Sequence, residues 1–518
     1  MQKKQSQKSA RTTPVCLAPL PTIAYYQCRF LFAMLIAAVC SLAVPAVHAQ
    51  ASPSAALAKI EPHLAAVIAP GGNSDALIVL SEQADLSGAD NLSTKLEKGQ
   101  YVYAKLRDIA ERTQAPLRKR LDEMGIPYES FYSVNMIKVN ASRDQLYEIA
   151  GRDEVERVEA NPQVKSANVP TSATLSTLAA LNISTPTTGI TWNISKINAP
   201  QVWSRGITGR GIVVASADTG VMWNHPALQS HYRGWNGTSV NHNYNWFDGT
   251  SAHSLTPVDP QSHGTFTASE MVGDDGHGNQ VGVAPGAKWI ACRNMNASGV
   301  GSPASYTACF DWLLAPYPTG HPQQANPALA PDIINNSWDC PPTEGCSVNT
   351  LLAIVNAVRA SGIFVVVAAG NSGPSCSSVN VPPAIYASSV SVGATDSSNN
   401  IALFSSRGPV IADNSRRLKP ELVAPGQYIT GAIPHSPWYQ NYWSGTSMAA
   451  PEVSGAVALL WQAKPGLIGN ISRTESYLTQ NATPLTSTQS CGSFHGSSVP
   501  NAVFGYGLLN ILRTVQAP

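Results

Sequence analysis

Charge is scarce in this sequence. Asp, Glu, Lys and Arg make up 13% of its 518 residues and nearly cancel, leaving a formal net charge of +1. That excludes the dense positive surface by which proteins gather nucleic acid or acidic polymers. Metal-ligand spacing is missing as well: the 9 cysteines contain no Cys-x-x-Cys pair, and the 11 histidines are scattered. The apolar run from Phe30 to Val44 is short of the roughly 20 residues a helical membrane span needs. What is present is ordinary for a large globular chain: 43% hydrophobic residues, with 39 Gly and 38 Pro lying between apolar runs throughout. This composition implies two or three domains with loop-rich surfaces and a core that needs no extra staples.

The N-terminus speaks for export. Lys3, Lys4, Lys8, Arg11 and Arg29 precede the Phe30 to Val44 run, and Val47 and Ala49 are small residues at the two positions a signal peptidase reads. Residues 1–49 are therefore read as a signal peptide with a long leading region, 50–74 as a linker, and the product as secreted or extracytoplasmic with no stable membrane association. An uncleaved anchor is the alternative. Cys16, Cys28 and Cys40 fall in the leader, leaving Cys292, Cys309, Cys340, Cys346, Cys376 and Cys491. An even set in an exported chain reads as disulfides. Proximity along the chain favours Cys292 with Cys309 and Cys340 with Cys346, leaving Cys376 for Cys491.

Four short segments carry chemistry. Gly445-Thr446-Ser447-Met448-Ala449-Ala450-Pro451 is a small-residue turn before the apolar stretch Val453 to Trp461, which sets Ser447 at the positive end of a buried helix. The strand Val213 to Asp218 ends on an acid, at the sheet edge where open α/β proteins collect ligands. His263-Gly264-Thr265 follows a polar loop and opens a helix, whereas His225, His242, His253 and His277 lie mostly in polar loops. Serine is a poor nucleophile at neutral pH, histidine can take its proton, and aspartate fixes the histidine tautomer. The β-branched run Phe364 to Ala368 leads into Ala369-Gly370-Asn371, the pattern of a strand buried on both faces. Asn371 and the Ser447 backbone N–H could then bind a developing oxyanion.

In that order, Asp218-Thr219-Gly220, His263-Gly264-Thr265, Ala369-Gly370-Asn371 and Gly445 to Ala449 resemble the four signature motifs of the subtilisin-like serine peptidases. Trp223 to Leu228, Gly282 to Ile290 and Asn335 to Trp338 are similar to the bacillopeptidase F branch of that family. The resemblance covers about Trp192 to the end. It implies a three-layer α/β catalytic domain with a mainly parallel sheet over 192–518, and an endopeptidase working through an acyl-enzyme. Asp218, His263 and Ser447 would be catalytic, Asn371 would serve the oxyanion hole, and Ser337, Trp338, Asp339, Ala369 and Gly370 would line the substrate. Such chemistry requires no cofactor. Relatives often carry stabilising calcium, and Asp274 to Asn279 has suitable oxygens, though the same composition makes plain turns.

Three positions depart from the family pattern: Glu452 where histidine is usual, Phe266 where a second histidine is common, and Asp339 in place of glycine. Buried, Glu452 would need a partner or a raised pKa. Phe266 should alter packing more than chemistry, and Asp339 motivates acceptance of basic side chains near the scissile bond.

Ahead of the catalytic motifs, Asp75 to Leu80 reads as a strand, Lys98 to Met124 as a long helix, Tyr128 to Tyr132 with Met136 to Val139 as a hairpin, Arg143 to Ala150 as a helix and Val155 to Glu159 as a strand. This β-α-β-β-α-β order is a small α+β, ferredoxin-like unit over 75–165. It resembles inhibitor-type propeptides, which implies an autoprocessed zymogen whose own propeptide is its intramolecular inhibitor. The Ser/Thr/Ala-rich linker 166–191 would hold the maturation cut. Protein or peptide substrates and a monomer complete the expectation. A catalytically silent binding protein and an ester-cleaving acyl-hydrolase are the rival classes, and the intact triad and the propeptide pattern, respectively, argue against them.

Overall fold

The computed structural model describes residues 53–69, 71–165, 189–434 and 439–518. The leader read over 1–49 and nearly all of the 166–191 linker, with its maturation cut, lie outside the described residues.

The small N-terminal unit holds strands β1 (Asn73–Leu80), β2 (Tyr128–Phe131), β3 (Met136–Ser142) and β4 (Val155–Ala160) in one antiparallel sheet of order β2-β3-β1-β4, followed by the short β5 (Val164–Lys165). Its helix Lys95–Glu123 starts at a capping box, in which the Thr94 hydroxyl accepts from the Glu97 N–H while the Glu97 carboxylate returns to the Thr94 N–H. The β1 run is apolar on both faces because both are covered. Ala76, Ile78 and Leu80 enter the unit's own core, whereas Leu77 and Val79 pack with Ala304 and Ala308 of the larger C-terminal unit. The long helix divides its contacts likewise, with Leu117 and Leu121 inside the small core and Val102, Leu106 and Ala110 against the larger one.

One boundary differs from the sequence reading. Residues 50–74 read as a linker, yet helices Pro53–Ala58 and Pro62–Ile68 occur there, and Ile60, Leu64 and Ile68 are buried in the small unit's core. Polar and small residues hide the pattern, because each helix is too short to show a repeat of apolar positions.

The larger unit follows β6 (Gly189–Ile190) and is built on β7 (Val213–Asp218), β8 (Trp246–Asp248), β10 (Lys288–Arg293), β12 (Ile333–Asn336), β13 (Phe364–Ala368), β14 (Val390–Thr395) and β15 (Leu422–Pro425). These seven strands are parallel throughout, in the order β15-β14-β13-β12-β7-β10-β8. Short pairs surround the sheet: β9 (Asn279–Gln280) with β6, β11 (Val300–Gly301) with β5, and β16 (Ile429–Ala432) with β17 (Tyr439–Trp443). One face of the sheet carries the helices His263–Val272 and Thr446–Ala463, and the other carries Pro303–Leu314 and Leu352–Ala360. Strands buried on both faces explain the unbroken apolar run of β13. Strand order reverses at β7, which has β10 on one side and β12 on the other, so a crevice opens at its carboxyl end. Asp218 is the last residue of β7. Disulfides join Cys292 to Cys309, Cys340 to Cys346 and Cys376 to Cys491. Among the described residues no helix is long and apolar enough to cross a membrane.

Candidate active site

At the β7 crevice, His263 and Asp218 are both fully buried, and His263 Nδ1 lies 2.8 Å from Asp218 Oδ1 and 3.0 Å from Oδ2. The Thr219 N–H donates to Asp218 Oδ1 at 2.7 Å. This arrangement holds the ring with Nδ1 toward the acid and Nε2 away from it. Nε2 has no hydrogen-bond partner among the described residues, which suits a base awaiting a proton. Gly264 is required beside this pair, since a Cβ there would meet the Gly220 carbonyl oxygen at 2.1 Å and the Asp218 Cβ at 3.1 Å.

Ser447 is the second residue of the Thr446–Ala463 helix, and its Oγ donates to the Ser337 carbonyl at 3.1 Å. In this resting arrangement the hydroxyl is parked on β12's extension, one side-chain rotation from leaving it. Pro451 falls at the sixth position of this helix, past its first turn. It therefore withholds the N–H that would bond the Ser447 carbonyl. The Ser337 hydroxyl donates to that carbonyl instead, at 2.9 Å, and Asn335 Nδ2 in turn donates to Ser337 Oγ at 3.0 Å.

Asn371 follows β13 and faces the same turn. Its Oδ1 accepts from both the Thr446 N–H and the Thr446 hydroxyl, each at 2.9 Å. With the oxygen so occupied the amide's orientation is set, and Nδ2 lies beside Gly445, 3.4 Å from where a Cβ on that residue would stand. Gly370, at φ 100°, turns the chain there, and its N–H donates to Thr446 Oγ1 at 3.2 Å.

The other sequence-predicted residues divide. Ser337 meets Ser447 directly. Trp338 is fully buried, stacked on Tyr306 with centroids 3.9 Å apart, and its indole N–H donates to the Ala217 carbonyl at 2.9 Å. It supports the cleft wall from behind. Asp339 is 7% exposed and close enough to Tyr306 that, after burial, its charge is the next influence raising that phenol's pKa. The Ala369 N–H is tied into the sheet by a 3.0 Å bond to the Val392 carbonyl. Phe266 acts through packing, stacked on Trp443 at 4.4 Å, and Trp443's ring in turn lies 6.3 Å from that of His263.

Sequence reasoning missed Asp259. This buried carboxylate accepts from Thr219 Oγ1, the Gln261 N–H, the Ser262 N–H, the Thr265 N–H and Thr265 Oγ1, at 2.6 to 3.1 Å. It links the residue after Asp218 to the first turn of the His263 helix, and it holds Ser262 in a left-handed conformation at φ 89°. Such strain is typical of a site the surroundings over-determine. Its only sequence signal was an acid four residues before the histidine.

The small unit reaches this region. The Tyr132 and Ser133 N–H groups donate to the two carboxylate oxygens of Asp311, each at 3.0 Å, and Tyr132's hydroxyl donates to the Asp311 carbonyl. Burial pushes Asp311 up to about 7 against these hydrogen bonds. Beyond it β5 pairs antiparallel with β11, Val164 opposite Gly301, and Val164 is fully buried in the cluster containing Tyr306 and Trp338. In the Asp274 to Asn279 loop, Asp275 accepts from the His277 and Asn279 N–H groups, from Asn279 Nδ2 and from the Tyr439 hydroxyl. Its oxygens are thus engaged as in a hydrogen-bonded turn.

Comparison with known proteins gives a consistent picture. A profile described as the subtilase family matches residues 209–507. Bacillopeptidase F of Bacillus subtilis (strain 168) is 37% identical over 438 residues, which is 82% of this chain and 29% of that protein. Its aligned stretch is longer than segment 192–518, so it includes part of the small unit. The chain thus spans less than a third of that relative's length. Subtilisin Savinase of Lederbergia lenta is 32% identical over 318 residues, 60% of this chain and 97% of that protein, and the alkaline protease of Alkalihalobacillus alcalophilus is 32% identical over 325 residues, 62% and 70%.

Proposed function

This chain belongs to the subtilase family, and from that premise we propose that it is an exported serine endopeptidase made as an autoprocessed zymogen. The observation that carries the reading is the buried His263–Asp218 pair, at 2.8 Å, on the sheet edge shared with Ser447 and Asn371. Asp218 holds His263 with Nε2 free to take a proton. Ser447 Oγ leaves the Ser337 carbonyl, gives its proton to Nε2 and attacks the peptide carbonyl carbon. The carbonyl oxygen gains the negative charge and is met by Asn371 Nδ2 and the Ser447 N–H, at the positive end of the helix. The tetrahedral centre collapses as Nε2 returns the proton to the amine, which departs and leaves an acyl-enzyme. Water attacks next, losing its proton to the same nitrogen, and Ser447 is restored. Nucleophile, base and oxyanion donors all come from the chain, so this chemistry needs no cofactor. Calcium in the Asp274 to Asn279 loop would be structural and would have to compete for oxygens the loop's own donors hold.

The segment 53–165 is read as the inhibitory propeptide. Its strand β5 lies along β11 as a peptide would, by edge pairing of backbone groups, and leads into the linker where maturation would occur. The basic leader and apolar run support secretion. A Ser447→Ala chain tests the reading. Wild type should lose the segment before about Trp192, react with a fluorophosphonate and digest casein, and the variant should do none of these. A wild-type chain that stays whole and inert to both would overturn it.

A further inference from the structure

The base helix and the nucleophile helix each carry a glutamate that the mechanism does not use. Glu270 lies two turns beyond His263, Glu452 lies five residues beyond Ser447, and both are fully buried where the helices pack together. Glu452 Oε1 accepts from Asn193 Nδ2 at 2.8 Å. Asn193 belongs to the helix Trp192–Lys196, at the start of the peptidase domain, and is itself fully buried. Glu452 Oε2, both oxygens of Glu270 and Asn193 Oδ1 are buried without a hydrogen-bond partner among the described residues. Written as carboxylates, these side chains set acceptors against acceptors in a fully buried interface, which is costly. Written as acids, they become complementary. A protonated Glu452 can donate from Oε2 to Asn193 Oδ1 while Oε1 keeps the amide's N–H, giving a two-bond acid–amide pair.

We propose that Glu270 and Glu452 are a neutral, proton-holding acid pair that positions the base and nucleophile helices against each other and clamps the Asn193 helix to them, and that ionising the pair sets the protein's alkaline limit. Among the described residues, the elements packed on the two helices supply no counter-charge: Lys288, at the start of β10, donates to the Ser230 carbonyl. Asp218 at the end of β7 is engaged with His263, Arg293 at the end of β10 with Asp248, and Arg513 on the helix Ile511–Gln516 donates to the Ala482 carbonyl. Lys196, on Asn193's own helix, donates to the Ser397 carbonyl. The charge that Glu270 faces is Glu452 itself. Burial pushes both carboxyls well above the usual range, and the neighbouring acid pushes Glu270 further. The folded chain therefore retains protons that the unfolded chain has lost above about pH 4.3. Stability falls as pH rises from there toward the raised values, and each retained proton steepens the unfolding equilibrium about tenfold per pH unit.

The test uses the full chain with Ser447→Ala to prevent self-digestion, comparing it with chains that also carry Glu452→Gln or both Glu270→Gln and Glu452→Gln. Unfolding is followed from pH 6 to 9, and the infrared carbonyl band of protonated carboxylic acid is recorded at pH 8. The parent should show the band and the steepest alkaline loss. One substitution should remove about one tenfold-per-unit step, and two should remove both along with the band. Equal pH slopes in all three chains, or no acid band in the parent, would overturn the proposal. Should Glu452→Gln fail to fold, the infrared titration of the parent alone decides. For the positioning role, Glu452→Gln in the catalytically intact chain should extend the alkaline limb of kcat with neutral-pH KM unchanged, and an unmoved limb counts against that role. This arm rests on the peptidase reading, and that reading's failure is recognisable as inactivity of both chains while the unfolding and infrared results still stand.

Discussion

Asp311→Ala should release the small unit from the catalytic unit, and the size of the effect follows from two backbone groups. The Asp311 carboxylate is the acceptor for the Tyr132 and Ser133 N–H groups, each at 3.0 Å, in a buried contact. Alanine leaves both donors dry and unpaired, at about 1–3 kcal/mol each, or about 2–6 kcal/mol together. At about 1.4 kcal/mol per decade, that weakens docking about 30-fold to 20,000-fold. The sign of the pH dependence follows from the same residue. Burial, to which the docked unit contributes, raises Asp311 to about 7, whereas a solvated aspartate titrates near about 3.9. The docked state thus holds the proton more tightly, so docking weakens as pH rises between about 4 and about 7 and levels off above. Asp311→Asn keeps one acceptor and removes the titration. The assay is inhibition of the mature enzyme by segment 53–165, measured from pH 5 to 9 on a peptide substrate. Inhibition unchanged within threefold in Asp311→Ala, or the wild-type pH trend persisting in Asp311→Asn, would refute the reasoning.

Two further outcomes are expected at the site. Asn371→Ala should lower kcat about 100- to 1000-fold with little change in KM, because its amide serves charge that exists only in the transition state; a rise in KM with kcat intact would instead make it a binding residue. A cleavage profile should show basic side chains accepted near the scissile bond and that acceptance lost in Asp339→Asn. If Lys and Arg give no gain in the parent, the role assigned to Asp339 is wrong.

How much of this was readable in advance depends on where polar residues sit relative to apolar runs. The strands that lead to Asp218 and Asn371 were legible because each is a largely apolar run closed by polar residues at or just past its end, and strand ends in this fold are site positions. The small unit's β-α-β-β-α-β order was legible for the same reason. The helices of 53–68 were not, since too few turns exist to reveal a repeat. Asp259 escaped notice because acids in polar loops are usually solvated, and only the folded chain shows this one capping two catalytic segments. Glu452 was legible as an anomaly, but Glu270 was not: an acid within a helix reads as a solvated face until the packing of a second helix buries it.

The exchange between Pro451 and Ser337 has a consequence for how the site can move. A helix normally closes its own ladder, so it can shift as a rigid rod without consulting its neighbours. Here the rung missing at Pro451 is supplied by a hydroxyl from the chain leaving β12, and that same residue's carbonyl parks the Ser447 hydroxyl. The rod is thereby indexed to the rail beside it. A displacement that carried the nucleophile away from the chain leaving β12 would break both bonds at once, so Ser337 couples the position of the attacker to the strand beside it.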